Sequence, residues 1–134
     1  MAEQKTILVV DDDIELSDGL RAMLERQGYR VIQARDGHQA KQQVYAQRPD
    51  LVILDMMMPR MGGYPVLEHF KDKADAPPII MMTANEGSRH KAYAEYLGVI
   101  DYMRKPFAVE KLLEAVQKAL AAPPRVVKPG EVPE

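Results

Sequence analysis

The apolar positions along the chain switch repeatedly between two periods. Ile7-Leu8-Val9-Val10 is a short continuous run rich in β-branched residues, the pattern of a strand buried on both faces. Asp11-Asp12-Asp13 ends it. Leu16, Leu20, Met23, Leu24 and Gln27 then mark one helical face, with Gly28 as the stop. Gly19 falls inside that helix, at a cost of about 1 kcal/mol relative to Ala. Tyr29 to Ala34 predicts a second strand, Asp36-Gly37 a turn, and residues 38–47 a polar helix. Leu51-Val52-Ile53-Leu54 predicts a third strand ending at Asp55. A Met/Pro/Gly loop leads to a short helix from Tyr64 to Lys71, where Pro65 suits the first turn. Ile79 to Met82 predicts a fourth strand ending at Thr83, Ser88 to Leu97 a helix stopped by Gly98, and Ile100 to Met103 a fifth strand before Lys105-Pro106. Leu112, Leu113, Val116 and Leu120 form the apolar face of a last helix. Strict β–α alternation with buried strands predicts an α/β fold, a parallel sheet covered by helices on both faces, with right-handed crossovers.

Composition narrows the function classes. The 134 residues are one domain's worth, with 46% hydrophobic and 28% charged residues, an ordinary globular balance. Lys and Arg total 18 against 20 Asp and Glu, a net charge of -2. No basic excess is available to hold a phosphate backbone, so direct nucleic-acid binding is not expected. The chain has no cysteine, which excludes disulfides and Cys-based zinc sites and fits a reducing, cytoplasmic setting. No apolar run approaches the ~20 residues of a membrane span. Pro123 to Glu134 carry four of the ten prolines, which predicts a Pro-rich disordered tail or linker after a domain in residues 1–122, its folded unit spanning 5–121.

The polar residues gather at strand ends, where sites form in open α/β sheets. The first strand ends in Asp11-Asp12-Asp13, the third in Asp55, the fourth in Thr83, and Lys105 follows the fifth. If these strands are neighbours, their side chains converge. Clustered carboxylates repel, and one is driven toward protonation. Mg²⁺ resolves that conflict, since it takes oxygen ligands and pairs with carboxylates plus phosphate. An aspartate is also a nucleophile for phosphoryl groups. Lys105 and the Thr83 hydroxyl could each hold a phosphoryl oxygen, so the set suits covalent phosphorylation of Asp55. Taken singly, each residue has a plainer reading: Asp12, Asp13, Asp36 and Asp50 as helix caps, Thr83 as a turn residue, Lys105 as a solvated charge. Their joint occurrence carries the functional reading. The nine methionines, four of them at Met56, Met57, Met58 and Met61, read as core filling. His38, His69 and His90 read as surface residues without metal-ligand spacing.

At these residues the chain resembles the response-regulator receiver domains of two-component signalling, of the chemotaxis-receiver kind. The blocks that carry the likeness are ILVVDDD (7–13), LVILDMMMPRMGG (51–63), IIMMTA (79–84) and DYMRKPF (101–107), in the family's order and spacing. The resemblance implies a flavodoxin-like (βα)5 doubly wound sheet of order 2-1-3-4-5. It implies Asp55 as phosphoacceptor, with Asp11, Asp12, Asp55 and the backbone carbonyl of Met57 holding Mg²⁺. It makes Thr83 and Lys105 the phosphoryl contacts, Ala84 the small residue that keeps the site open, and Tyr102, with Thr83, the switch. It also implies a cis Lys105–Pro106 bond. The implied partners are a sensor histidine kinase or histidine phosphotransfer protein, a downstream effector or attached output domain, and a second copy through the face of the fourth helix, fifth strand and fifth helix. The chain departs from the family at Asp13, an extra acid expected to cap a helix, at Gly62, where an Asp is common and whose absence is expected to loosen the loop, and at Pro65. Met57 and Asn85 occupy positions that tune phosphoryl lifetime.

Two other classes compete. A haloacid-dehalogenase-like phosphatase uses a similar set, with Asp11 to Asp13 mimicking its nucleophile motif, but it needs a late acidic pair and a cap domain that the sequence lacks. A pseudo-receiver would bind partners without phosphorylation, against which the complete set of Asp12, Asp55, Thr83 and Lys105 argues. The expected role is a signalling switch, not an enzyme acting on other substrates. One receiver fills residues 5–121 and leaves no room for an output domain, so the sequence reads as a stand-alone receiver or as one cut from a longer regulator.

Overall fold

The structure, a computed structural model, describes residues 4–84 and 88–121. The expected tail, Pro123 to Glu134, and the tuning position Asn85 lie outside them. Ten elements alternate: β1 (Thr6–Val10), α1 (Ile14–Arg26), β2 (Arg30–Ala34), α2 (Gly37–Gln47), β3 (Leu51–Asp55), α3 (Gly63–Phe70), β4 (Ile79–Thr83), α4 (Ser88–Tyr96), β5 (Asp101–Arg104) and α5 (Val109–Ala121). The five strands form one parallel sheet in the order β2-β1-β3-β4-β5, as the resemblance implies.

The two faces of the sheet explain the continuous apolar runs. Leu8, Val10, Val52, Leu54, Ile79 and Met81 pack on one side with residues of α2, α3 and α4. Ile7, Val9, Leu51, Ile53, Ile80 and Met82 pack on the other with residues of α1 and α5. Alternate side chains of one strand serve opposite layers, so every position in β1, β3 and β4 is buried. Burying each large apolar side chain among them contributes about 1.5–3 kcal/mol, so the central strands are the rigid frame on which the sheet's carboxyl edge sits. Gly19 lies on the exposed side of α1, with nothing near the place a Cβ would take, so its cost there is helix propensity alone. Gly28 and Gly98 stop their helices at φ 96° and 97°, in the left-handed region that favours glycine.

The caps sort the acids. Asp13 caps α1 by accepting from the Leu16 amide at 3.1 Å, and Asp36 caps α2 through the Gln39 amide at 3.0 Å. Asp50 differs from expectation. It caps no helix, because a strand follows it; it accepts the Thr6 amide at 2.8 Å and ties the start of β1 to that of β3. The methionines also divide. Met56 is buried and Met58 and Met61 pack at the core's margin, but Met57 is 63% exposed and fills no core. His38 is exposed. His69 is half-buried, edge-on to Phe70, with Nε2 2.7 Å from the Tyr45 hydroxyl. Burial and the neighbouring Lys41 and Lys73 lower its pKa. The side chain of His90 lies outside the described set.

Candidate functional site

Register builds the site. Val10 pairs with Leu54 across β1 and β3, so the next residues, Asp11 and Asp55, emerge side by side at the carboxyl edge. Asp55 pairs with Met82, which leaves Thr83 one step beyond at the same edge. Thr83 pairs with Arg104, and its carbonyl accepts the Lys105 amide at 2.7 Å. The Lys105–Pro106 bond is cis. The chain separation from Asp11 to Lys105 is thereby closed to an ion pair: Lys105 Nζ lies 2.8 Å from Asp11 Oδ2 and 3.4 Å from Asp55 Oδ1.

Asp11, Asp55 and Thr83 are buried, and Asp12 is exposed. Carboxylate oxygens of Asp11, Asp12 and Asp55 lie within 4.8 Å of one another. Burial, and then repulsion from Asp11, push the Asp55 carboxyl up to about 6, against the opposing pull of Lys105. The Asp55 carboxylate also accepts the Met57 amide at 3.4 Å, and Asp11 accepts the Asp13 amide at 2.9 Å. Burial pulls the Lys105 ammonium down, but its hydrogen bond to Asp11 and the charges of Asp55 and Asp11 outweigh that, and its pKa rises. A single ammonium thus serves two buried carboxylates, with a third at the solvent side. This all-oxygen donor set fits a small hard divalent cation such as Mg²⁺, and the raised Asp55 carboxyl reflects burial first and then repulsion from Asp11, both of which a bound cation would offset.

The residues expected at the site are therefore brought together, apart from Tyr102. Met57 sits exposed beside Asp55 on the loop. Tyr102, on β5, packs against the α3/α4 side of the core, and its hydroxyl is buried without a hydrogen-bond partner among the described residues. Burial, with a smaller effect from Tyr102, raises the Tyr64 pKa. Ala84 is exposed at the site's rim.

The loop of residues 56–62 between β3 and α3 is held from outside, by contacts the sequence did not announce. Arg60 places Nε and Nη2 at 2.7 and 2.6 Å from Asp36 Oδ2. The Gly37 amide donates to the Met61 carbonyl at 2.8 Å, and the Gly63 amide to the Met56 carbonyl at 3.0 Å. Arg60 stands 24 positions from Asp36, so no local pattern pointed to it. Gly62 leaves α3 without a side-chain cap. A Cβ there would lie 2.9 Å from the Met56 carbonyl oxygen, so the loop closes tightly around this glycine where a looser loop was expected.

Comparison with known proteins gives a consistent result. A family model described as "Response regulator receiver domain" matches residues 7–117. A protein named response regulator MprA from Mycolicibacterium vanbaalenii is 40% identical over 114 residues, 85% of this chain and 49% of that one. A Mycobacterium leprae protein of the same name is 38% identical over 128 residues, 96% of this chain and 54% of that one. The chain thus spans about half the length of the curated relatives it matches. Among solved structures, the non-phosphorylated HemR receiver domain from Leptospira biflexa is similar, with a TM-score of 0.82 and 28% identity over 90% of this chain and 97% of that one. The Vibrio cholerae chemotaxis protein CheY4 is similar at 0.81 and 29% identity, over 88% of this chain and 100% of that one.

Proposed function

The chain belongs to the response regulator receiver family of two-component signalling, and from that premise we propose that it is a phosphorylation switch whose acceptor is Asp55. The observation that carries this reading is the buried Asp11/Asp55 pair, bridged by one lysine and flanked by Asp12. A partner phosphohistidine, on a sensor histidine kinase or a phosphotransfer protein, is the donor. Its N–P bond breaks, a bond forms from phosphorus to an Asp55 carboxylate oxygen, and the donor ring keeps the N–P electron pair and takes up a proton.

Asp11, Asp12, Asp55 and the Met57 carbonyl would hold Mg²⁺. When bound, Mg²⁺ supplies charge neutralisation for the phosphoryl oxygens. Lys105 already stands between the two buried carboxylates, so its ammonium reaches an oxygen added to Asp55 with little movement. The Thr83 hydroxyl donates to another. Recruitment of Thr83 frees space for Tyr102, and the new position of these two residues biases the α4–β5–α5 face between two states. That face is the docking place for a downstream effector, an attached output domain or a second copy. The chain catalyses only its own phosphoryl transfer and hydrolysis, in the cytoplasm. With a net charge of -2 it makes no direct contact with nucleic acid. No described helix is long and apolar enough to cross a membrane.

Incubation with a labelled small phosphodonor and Mg²⁺ tests the assignment. Label is expected on the natural chain and absent from Asp55→Asn. Label that persists in Asp55→Asn removes the acceptor assignment. A natural chain that takes neither phosphoryl group nor beryllofluoride supports the pseudo-receiver instead.

A further inference from the structure

We propose that Arg60 is a positioning residue for the cation site, acting through Asp36 at the start of α2. The inference rests on the functional reading above. Arg60 touches neither Asp55 nor Lys105 in any described contact. Its guanidinium instead grips Asp36 with two nitrogens, at 2.7 and 2.6 Å. Asp36 is 3% exposed and is itself fixed, because its other oxygen caps α2 through the Gln39 amide at 3.0 Å. The grip is backed by the Gly37 amide on the Met61 carbonyl at 2.8 Å and by the Met61 side chain lying over Gly37, where a Cβ would collide with Met61 Cγ.

The backbone shows that Arg60 is held and does not merely rest there. Its φ is 65°, in the left-handed region that residues with a Cβ avoid, and such conformations persist where the surroundings over-determine them. Met57, whose carbonyl is assigned to the cation, lies three positions before Arg60 on the same loop. That loop is anchored on its β3 side by the Met56 amide on the Met82 carbonyl at 2.9 Å. Arg60 and Met61 anchor its other side to the β2–α2 turn. With both ends fixed, the Met57 carbonyl is presented beside Asp55. With the Arg60 end released, it wanders and the cation loses an ordered oxygen. Partners behind the ligands typically change metal affinity by about 10- to 100-fold when removed.

The test uses the whole chain in five forms: natural, Arg60→Ala, Arg60→Lys, Asp36→Asn and the double variant Arg60→Ala/Asp36→Asn. Asn is as good a helix cap as Asp, so Asp36→Asn removes the charge and keeps α2. Two quantities are read: the Mg²⁺ dissociation constant by calorimetry, and amide hydrogen exchange at Gly37 and Gly63 in metal-free protein. Arg60→Ala is expected to weaken Mg²⁺ binding about tenfold and to speed Gly37 exchange about tenfold, with β1 and β3 amides unchanged. Asp36→Asn follows the same direction, the double variant is no worse than Arg60→Ala, and Arg60→Lys recovers part of the loss. Faster exchange with Mg²⁺ affinity within about twofold of the natural chain makes the contact merely structural and overturns the proposal. So does no change in either quantity. A natural chain that binds no Mg²⁺ at all sinks the functional reading itself, which separates that failure from this one.

Discussion

Two aspartates at the same edge of the sheet are both almost closed to solvent and behave in opposite ways. Asp55 is 4% exposed and Asp36 3%. Asp55 is pushed up to about 6 by burial and by Asp11. Asp36 is lowered, chiefly by the Gln39 amide, with Arg60 adding to the pull and burial opposing it. Burial leads at Asp55 and is overridden at Asp36, and the rest of the difference lies in what each carboxylate meets. Asp36 sits under the surface-exposed Arg60 guanidinium with both oxygens engaged. Asp55 shares one lysine with a second buried acid and otherwise accepts only a long bond from Met57 among the described contacts. A satisfied buried acid is structural; a crowded one is held ready for another cation and another bond.

Four measurements can break or sharpen that contrast. The largest effect is expected from Asp55→Asn in metal-free buffer near neutral pH. The displacement of Asp55 from 3.8 to about 6 costs the fold of order 2–3 kcal/mol when the group is charged. The uncharged variant therefore resists urea better by about that amount, and a weaker variant would refute the crowding. The pH dependence has the matching sign. A carboxyl raised in the folded state favours folding fully below 3.8, and that advantage disappears as pH rises through about 6. The stability gap between the natural chain and Asp55→Asn should thus close as pH falls across that window, followed by urea titration at each pH.

Asp36→Ala comes next, with the opposite sign. It removes a cap worth about 1 kcal/mol and a charge-assisted contact to a largely exposed arginine worth about 1 kcal/mol. A loss near 2 kcal/mol is expected by denaturant titration. Because Asp36 is lowered, its contribution is present above its unfolded value and fades only as pH falls below 3.8, a slope opposite to that of Asp55. The smallest effect belongs to a carboxylate outside the edge. Glu68 accepts from the Tyr93 hydroxyl at the exposed α3–α4 surface. Tyr93→Phe is expected to leave the denaturation midpoint unchanged, and a clear drop would mean that exposure matters less than this comparison holds.

Much of this was legible from residues in order. The short runs ILVV and LVIL, rich in β-branched residues, read as strands buried on both faces, and both are. Asp11, Asp55, Thr83 and Lys105 are brought to one edge because each follows or ends a parallel strand. Element ends shifted by a residue or so. β1 begins at Thr6 where Ile7 was expected, and β5 runs Asp101–Arg104 where Ile100 to Met103 was expected, because hydrogen bonding to a neighbour, not side-chain character, sets a strand's limits. Asp50 was misread as a cap because its partner amide, Thr6, is 44 positions away. Met57 was misread as core because three methionines in a row carry no information about which one a turn exposes.

The sequence by itself determined the layers, since period-2 alternation within a continuous apolar run leaves both faces of a strand to be covered. It also determined which acids terminate strands. Only the tertiary structure decided what each acid became. The pairing of Val10 with Leu54 set Asp11 against Asp55, while Asp12 faces solvent and Asp13 turned to cap α1. Asp36 found Arg60 across 24 positions. A carboxylate's charge state depends on atoms within a few ångströms, and in a parallel sheet those atoms come from strands far apart in the chain.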